Sequence, residues 1–282
     1  METVPEISIL IANYNNGKYF KDCYNSLINQ TEKNWEAIII DDTSTDDSLQ
    51  IIRKLTEGDS RFKVFENEQN MGYQKTIAKG IELSKAPIFA RLDPDDALYP
   101  EAISMSIKAH QENPEVGLVY TNFTNCDDQL TPQKHHTAKQ VNDFGPDFYN
   151  FKGEISHFAS FKKKIYEKTS GIDIKNKRAE DKDIYMKMCE VGPVKHIDIP
   201  LYFYRRHSQG ASTFSNYAKA YFWHWVAIIK MAERRDINVE DLFIEEIKRV
   251  FVIPKVKTFE NSFSFFFFRI ENKIRNLFNG RK

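Results

Sequence analysis

Three short apolar runs, each ending on acidic or amide side chains, constrain this chain more than any other feature. Residues 7–12 (ISILIA) lead into Asn13-Tyr14-Asn15, residues 35–40 (WEAIII) into Asp41-Asp42, and residues 88–92 (IFARL) into Asp93-Pro94-Asp95-Asp96. Short, largely apolar runs read as strands buried on both faces. Stretches with helical spacing separate them. Phe20, Cys23, Tyr24, Leu27 and Ile28 mark one over 18–29. Leu49, Ile51, Ile52 and Leu55 mark another after the cap candidates Ser44-Thr45-Asp46-Asp47, and 72–84 is a third. Residues 62–65 read as a strand, and a helix over 100–111 precedes a strand over 116–122. This βαβα rhythm predicts an α/β fold, a mostly parallel sheet flanked by helices. Ligands of such sheets bind beyond the carboxyl ends of the strands. The three polar strand ends are therefore expected to converge on one crevice. Any single one also reads as a helix cap or an Asx-turn; three in succession point to a site.

Composition narrows the function classes. The 282 residues carry 40 Lys+Arg and 40 Asp+Glu, a formal net charge of zero. That balance argues against a nucleic-acid partner, which draws a basic excess. A hydrophobic content of 41% excludes whole-chain disorder. Cys23, Cys126 and Cys189 are far apart and odd in number, so neither a disulfide framework nor a metal pair is expected, and a cytoplasmic setting fits. The opening METVPEISIL lacks the basic start of a signal peptide, and no run approaches the roughly 20 apolar residues of a membrane span.

The Asp93-x-Asp95-Asp96 cluster carries the most specific chemistry. Carboxylates crowded at one turn repel unless something positive joins them. A hard divalent cation, Mg2+ or Mn2+, bridging to a diphosphate is the usual partner. Asp41-Asp42 reads instead as an acceptor pair for a base and a ribose. No G-x-G-x-x-G follows the first strand and no G-x-x-x-x-G-K-[ST] occurs, which disfavours a dinucleotide fold and a P-loop enzyme.

At these motifs the chain resembles the GT-A glycosyltransferases of family 2. SILIANYNNGKYFKDCYNSLINQT, WEAIIIDDTSTDDSLQII and NMGYQKTIAKGIELSKAPIFARLDPDDALYP carry the resemblance, which extends over residues 7–212. It also matches an acidic pair before a helix, Glu180-Asp181, and the segment Tyr204-Arg205-Arg206-His207. The resemblance implies inverting transfer of a sugar from a nucleoside diphosphate sugar, UDP-linked by preference, to a saccharide or lipid-linked acceptor. By the same resemblance Tyr14 and Asp42 hold the nucleotide, Asp42 at the base, with Asp41 the weaker of the pair and serving the turn. Asp93 and Asp95 match the metal and diphosphate motif, Asp96 the orientation of the donor sugar, and Asp181 the general base. Pro94 and Thr43 depart from the small residues usual there, and neither removes a ligand atom. The bland alternative for Glu180-Asp181 is an acidic pair stabilising a helix N-terminus, worth about 0.3–1 kcal/mol. Lys75 is one turn into its helix, where it either reaches the diphosphate or is a solvated lysine. His207 reads as a metal or diphosphate ligand from the second half, or as a turn histidine. A nucleotide-sugar-binding module without turnover and a sugar nucleotidyltransferase are the rival functions.

Beyond the second half the reading changes. Residues 125–150 are polar and read as a long loop, with His135-His136 solvated. His157 lies near the expected acceptor side. The resemblance sets a glycosyltransferase domain over 1–212, divided at 122 into nucleotide-sugar and acceptor halves, and a helical extension over 213–282. Residues 215–282 hold thirteen basic and eight acidic residues, so the tail is basic and the body acidic. Tyr217, Tyr221, Trp225 and Ile228 fall at helical spacing, as for a helix packed on the catalytic domain. Phe263 and Phe265 to Phe268, followed by Arg269, Lys273 and Arg275, suit an amphipathic helix at an anionic membrane surface. A peripheral position at the inner face of the cell membrane is the expectation, with a core or oligomer contact as the alternative.

Overall fold

The structure, a computed structural model, describes residues 4–145, 147–208, 210 and 216–248. The chain opens with β1 (Ile7–Asn13), α1 (Gly17–Ile28), β2 (Trp35–Asp41), α2 (Ser48–Thr56), β3 (Phe62–Glu66), α3 (Tyr73–Leu83) and β4 (Ile88–Arg91). It continues through β5 (Ala97–Leu98), α4 (Ala102–Glu112), β6 (Leu118–Cys126), β7 (Pro132–His136), β8 (Ser160–Lys162), α5 (Lys163–Tyr166), α6 (Glu180–Val191) and β9 (Val194–Arg205). Helices α7 (Tyr217–Arg235) and α8 (Glu240–Ile247) follow.

Every residue of β1 and of β2 is buried, as continuous apolar runs require. Side chains alternate between the two faces. Ile7, Ile9 and Ile11 meet Phe20, Cys23 and Leu27 of α1 on one side, while Leu10 and Ala12 meet Ile77 and Ile81 of α3 on the other. Parallel pairing of β1 with β2 sets Asn13 beside Asp41, and β4 lies parallel to β1 on its other edge with Arg91 opposite Leu10. The polar ends of three strands therefore share one edge of the sheet.

The full sheet runs β3-β2-β1-β4-β8-β6-β9-β5, with β7 paired to β6. The first four strands are parallel, as expected. Beyond β4 the sheet is mixed: β8 is antiparallel to β4 and β6, β5 to β9, and β7 to β6, while β6 and β9 are parallel. The expected long loop over 125–150 contains β7, whose PQKHH sequence is almost wholly exposed and gives no apolar signal. There His135 pairs through Nδ1 with Thr124 Oγ1 at 2.8 Å, and the His136 ring packs 4.5 Å from that of Phe123, so neither imidazole is merely solvated.

Met1–Met231 forms one compact unit, and the chain from Ala232 belongs to a second, of which α8 is described. The expected boundary at 212/213 and the phenylalanine-rich segment 263–268 with its membrane reading lie outside the described residues. Among the described residues no helix is long and apolar enough to cross a membrane.

The Asn16-Gly17 step explains how closely α1 and α2 approach. Gly17 N–H donates to Ser48 Oγ at 2.7 Å, and a Cβ on Gly17 would stand 2.6 Å from Ser48 Cα. The obstacle is backbone, so a methyl group must push the helices apart. Gly17→Ala is expected to lower stability by about 1–3 kcal/mol; an unfolding midpoint in urea equal to that of the wild type would refute the close-packing account.

Candidate active site

A cleft of about 550 Å³ opens at the carboxyl ends of β1 and β4. Tyr14, Asn16, Tyr73, Gln74, Arg91 and Asp93 to Asp96 line it from the first half, and His157, Glu180 to Lys182, Tyr204, Arg205 and His207 from the second. Tyr14 is 45% exposed at its rim.

Of the residues read from sequence, the cleft collects Tyr14, Asp93, Asp95, Asp96, Asp181 and His207. It does not collect Asp41, Asp42 or Lys75. Asp41 accepts from Asn13 Nδ2 (2.7 Å), Ser44 N (2.8 Å) and Ser44 Oγ (2.7 Å), which makes it the anchor of the turn. Asp42, 3% exposed, accepts from Asn67 Nδ2 at 2.7 Å and from the backbone N–H groups of Met71 and Gly72 at 2.8 Å each. Its carboxylate is thus spent on holding the 67–72 loop, which leads into α3 beside the cleft. Lys75 is exposed: its α3 neighbours Tyr73 and Gln74 take the cleft face, and Thr76 and Ile77 take the core face.

The aspartate turn is held from β9. Asp96, 2% exposed, accepts from Tyr202 Oη and from Arg205 N, each at 2.7 Å. Burial, then the charges of Asp95 and Asp93, push its carboxyl well above the usual range, against the pull of those two hydrogen bonds. Arg205 donates from Nε to Asp95 O, from NH1 to Asp128 O and from NH2 to Asp22 Oδ2, all at 2.6 Å. His207 Nε2 pairs with Asp95 Oδ2 at 2.8 Å. In this arrangement the imidazole reaches the aspartate motif as a hydrogen-bond partner of Asp95.

Two residues that sequence reasoning passed over join the halves. Arg91, at the end of β4, is 9% exposed, and its guanidinium lies 3.5 Å from Glu180 Oε1 and 4.0 Å from Asp93 Oδ1. Tyr73 Oη donates to Asp93 Oδ1 at 2.9 Å. A lone arginine in a strand carries no sequence signal of a site; its position two residues before the aspartates is the hint. Ala179 enters α6 with φ 58°, a left-handed conformation uncommon for a residue with a Cβ. That turn sets Glu180 and Asp181 in the first helical turn, on the cleft.

The two carboxyls of this pair are pushed apart. Burial raises Glu180 to about 7, with Arg91 opposing and Asp181 adding. Burial would raise Asp181 too, but Arg91, Lys182 and His157 outweigh it, and its carboxyl is held below the usual value. Asp181 is therefore ionised at neutral pH.

The residues fit a divalent cation in part. Asp93 and Asp95 each offer a carboxylate oxygen that makes no hydrogen bond among the described residues, in a turn whose third carboxyl is driven toward its neutral form. Hard oxygen donors of this kind suit Mg2+ or Mn2+. Among the described residues no three His, Cys, Asp or Glu side chains form a ready-made metal cage. The protein would supply two carboxylates, leaving the other coordination positions to ligands from outside the chain.

The family profile described as "Glycosyl transferase family 2" matches residues 8–170. The chain belongs to glycosyl transferase family 2. Among family relatives, a chondroitin synthase of Escherichia coli is 30% identical over 75% of this chain, and a hyaluronan synthase of Pasteurella multocida is 30% identical over 69%. The chain spans only 30% and 20% of those relatives' own lengths. The crystal structure of S. aureus TarS 1-349 superposes with a TM-score of 0.61 at 20% identity, covering 79% of this chain and 65% of that one. The mannosyltransferase PcManGT from Pyrobaculum calidifontis, in complex with GDP-Man and Mn2+, gives 0.59 at 17% identity, covering 81% and 65%. The fold is accordingly the GT-A arrangement, with a mixed sheet and flanking helices.

The raised Glu180 carboxyl predicts a pH dependence of stability. With a folded pKa near 7 against an ordinary 4.5, the folded state binds the extra proton between those values. The associated stability is present below about pH 4.5 and is lost as pH rises through 7. Glu180→Gln should remove that loss, so that the variant gains up to about 3 kcal/mol on the wild type between pH 5 and pH 8. Denaturant titrations at the two pH values measure the difference; parallel curves would contradict the burial account.

Proposed function

We propose that this protein transfers a glycosyl group, with inversion, from a nucleoside diphosphate sugar to a hydroxyl of a saccharide acceptor, free or lipid-linked. One observation carries the reading: an ionised Asp181 shares a single cleft with the Asp93-x-Asp95-Asp96 turn. Inversion needs a base on the face of the sugar opposite the leaving group. Asp181 accepts the acceptor's proton as the hydroxyl oxygen attacks the anomeric carbon. The bond from that carbon to the diphosphate breaks, and its electron pair leaves with the nucleotide. Arg91 keeps Asp181 in its charged form. Tyr14 borders the nucleotide, Asp42 shapes its loop, and Asp96 fixes the turn beside the donor sugar. Asp93 and Asp95 would hold Mn2+ or Mg2+, which when bound supplies Lewis-acid neutralisation of the diphosphate.

Relatives named as chondroitin and hyaluronan synthases support a role in glycan assembly. The TarS complex with UDP-GlcNAc supports a UDP-hexose or UDP-N-acetylhexosamine donor, and GDP-Man in PcManGT is the alternative that a donor panel separates.

The test is nucleoside diphosphate release from a panel of sugar donors, with and without Mn2+. Turnover with at least one donor is expected to stop on chelation of divalent ions, and full activity in excess chelator removes the metal from the reaction. Asp181→Asn keeps the shape of the side chain but cannot take the proton. It should lower kcat by at least about 10²-fold with donor affinity nearly unchanged. Equal losses of donor binding and turnover would make Asp181 a structural residue.

A further inference from the structure

Helix α7 does more than pack. Tyr217, Tyr221 and His224 stand at i, i+4 and i+7, on one helix face, and all three line the cleft that holds Asp181. The two tyrosine rings are near parallel, 23° apart with centroids at 6.3 Å, and Tyr217 is 61% exposed. His224 at the inner end of this stripe is 9% exposed, its ring 5.1 Å from that of Phe151. Tyr221 Oη and His224 Nε2 are buried atoms with no hydrogen-bond partner among the described residues. Buried polar atoms in folded proteins are almost always paired. Two unpaired ones on one face of one helix, both on residues that line the cleft, are what a site completed by a ligand would leave.

The chemistry of that ligand follows from the groups. Burial lowers His224 to about 3, so the imidazole is neutral at physiological pH and offers one donor and one acceptor nitrogen. A neutral imidazole and a phenol match hydroxyl groups, which also donate and accept. Open aromatic faces match the apolar face of a sugar ring. The reacting hydroxyl must come within hydrogen-bond reach of Asp181, which shares the cleft with this helix face and is near enough to His224 for its charge to act on the imidazole.

We propose that Tyr217, Tyr221 and His224 form the acceptor subsite: a saccharide ring lies against the two tyrosines, and its non-reacting hydroxyls pair with Tyr221 Oη and His224 Nε2. The assignment rests on the glycosyl-transfer reading and names the residues that select the acceptor.

Saturation-transfer NMR on the full chain with UDP or GDP present tests it. The probes are methyl β-glucoside, methyl β-galactoside, methyl N-acetyl-β-glucosaminide and methyl β-glucuronide. At least one neutral glycoside should receive saturation. That signal should fall by at least about fivefold in Tyr221→Phe, which removes a single oxygen, and in His224→Phe. Nucleotide affinity, measured by calorimetry, should stay within about twofold in both variants. Should His224→Phe fail to fold, Tyr221→Phe decides alone. Saturation of no neutral glycoside, or undiminished saturation in folded variants, overturns the subsite. A wild-type chain that binds neither nucleotide overturns the glycosyl-transfer reading instead, so the two failures are distinct.

Discussion

Three aspartates within four residues repel one another, and much of the second half of the molecule is arranged around that repulsion. The turn after β4 is tolerable because β9 and the residues just after it bring partners to it: a phenol and a backbone N–H to Asp96, a guanidinium to the carbonyl of Asp95, and the His207 imidazole to the Asp95 carboxylate. A carboxylate taken from water needs such partners or loses its charge. Asp96 is the limiting case, so deeply buried beside its neighbours that its carboxyl is driven toward the neutral form. Arg205 ties the same turn to α1 through Asp22 and to the loop after β6 through Asp128. It holds three separate stretches of chain, a geometry that a planar five-donor head can meet and a lysine cannot.

A second cation does the corresponding work across the cleft. Arg91 lies between Asp93 of the turn after β4 and Glu180 of α6. It draws charge in both directions: Asp181 stays ionised under its influence, and Glu180 rises less than burial alone would raise it. The two carboxyls at the start of α6 therefore divide their labour by environment, one a candidate proton acceptor and the other a partner that holds the arginine in place.

What the sequence disclosed and what it hid follow from the range of the interactions. Strands β1, β2 and β4 are buried on both faces, and an apolar run announces that without knowledge of the partner. Strand β7 is exposed and polar, β5 is two residues long, and β9 mixes buried and exposed positions without a period. Pairing alone makes them strands, and pairing is non-local. The site divides in the same way. Asp93, Asp95 and Asp96 stood out as clustered acids, whereas Asp181 stood out only through the resemblance carried by its segment. Asp42 is also a clustered acid, but its role depends on Asn67, Met71 and Gly72, some 25–30 residues away. Arg91 and Glu180 gain meaning only from each other, and nothing in either local sequence names the partner.

The order of strands along the chain also bears on how the molecule comes into being. Ala97 and Leu98 pair with Phe203 and Tyr202, and Asp96 takes its backbone donor from Arg205, 109 residues later. A ribosome adding about 5–20 residues per second needs roughly 5 to 20 s to cover that distance. For that interval the parallel half can form around β1 while the aspartate turn faces water, hydrated and fully charged. The cleft reaches its final electrostatic state only when β9 has emerged and inserted between β6 and β5, so that state is set well after the parallel strands that carry its aspartates have been made.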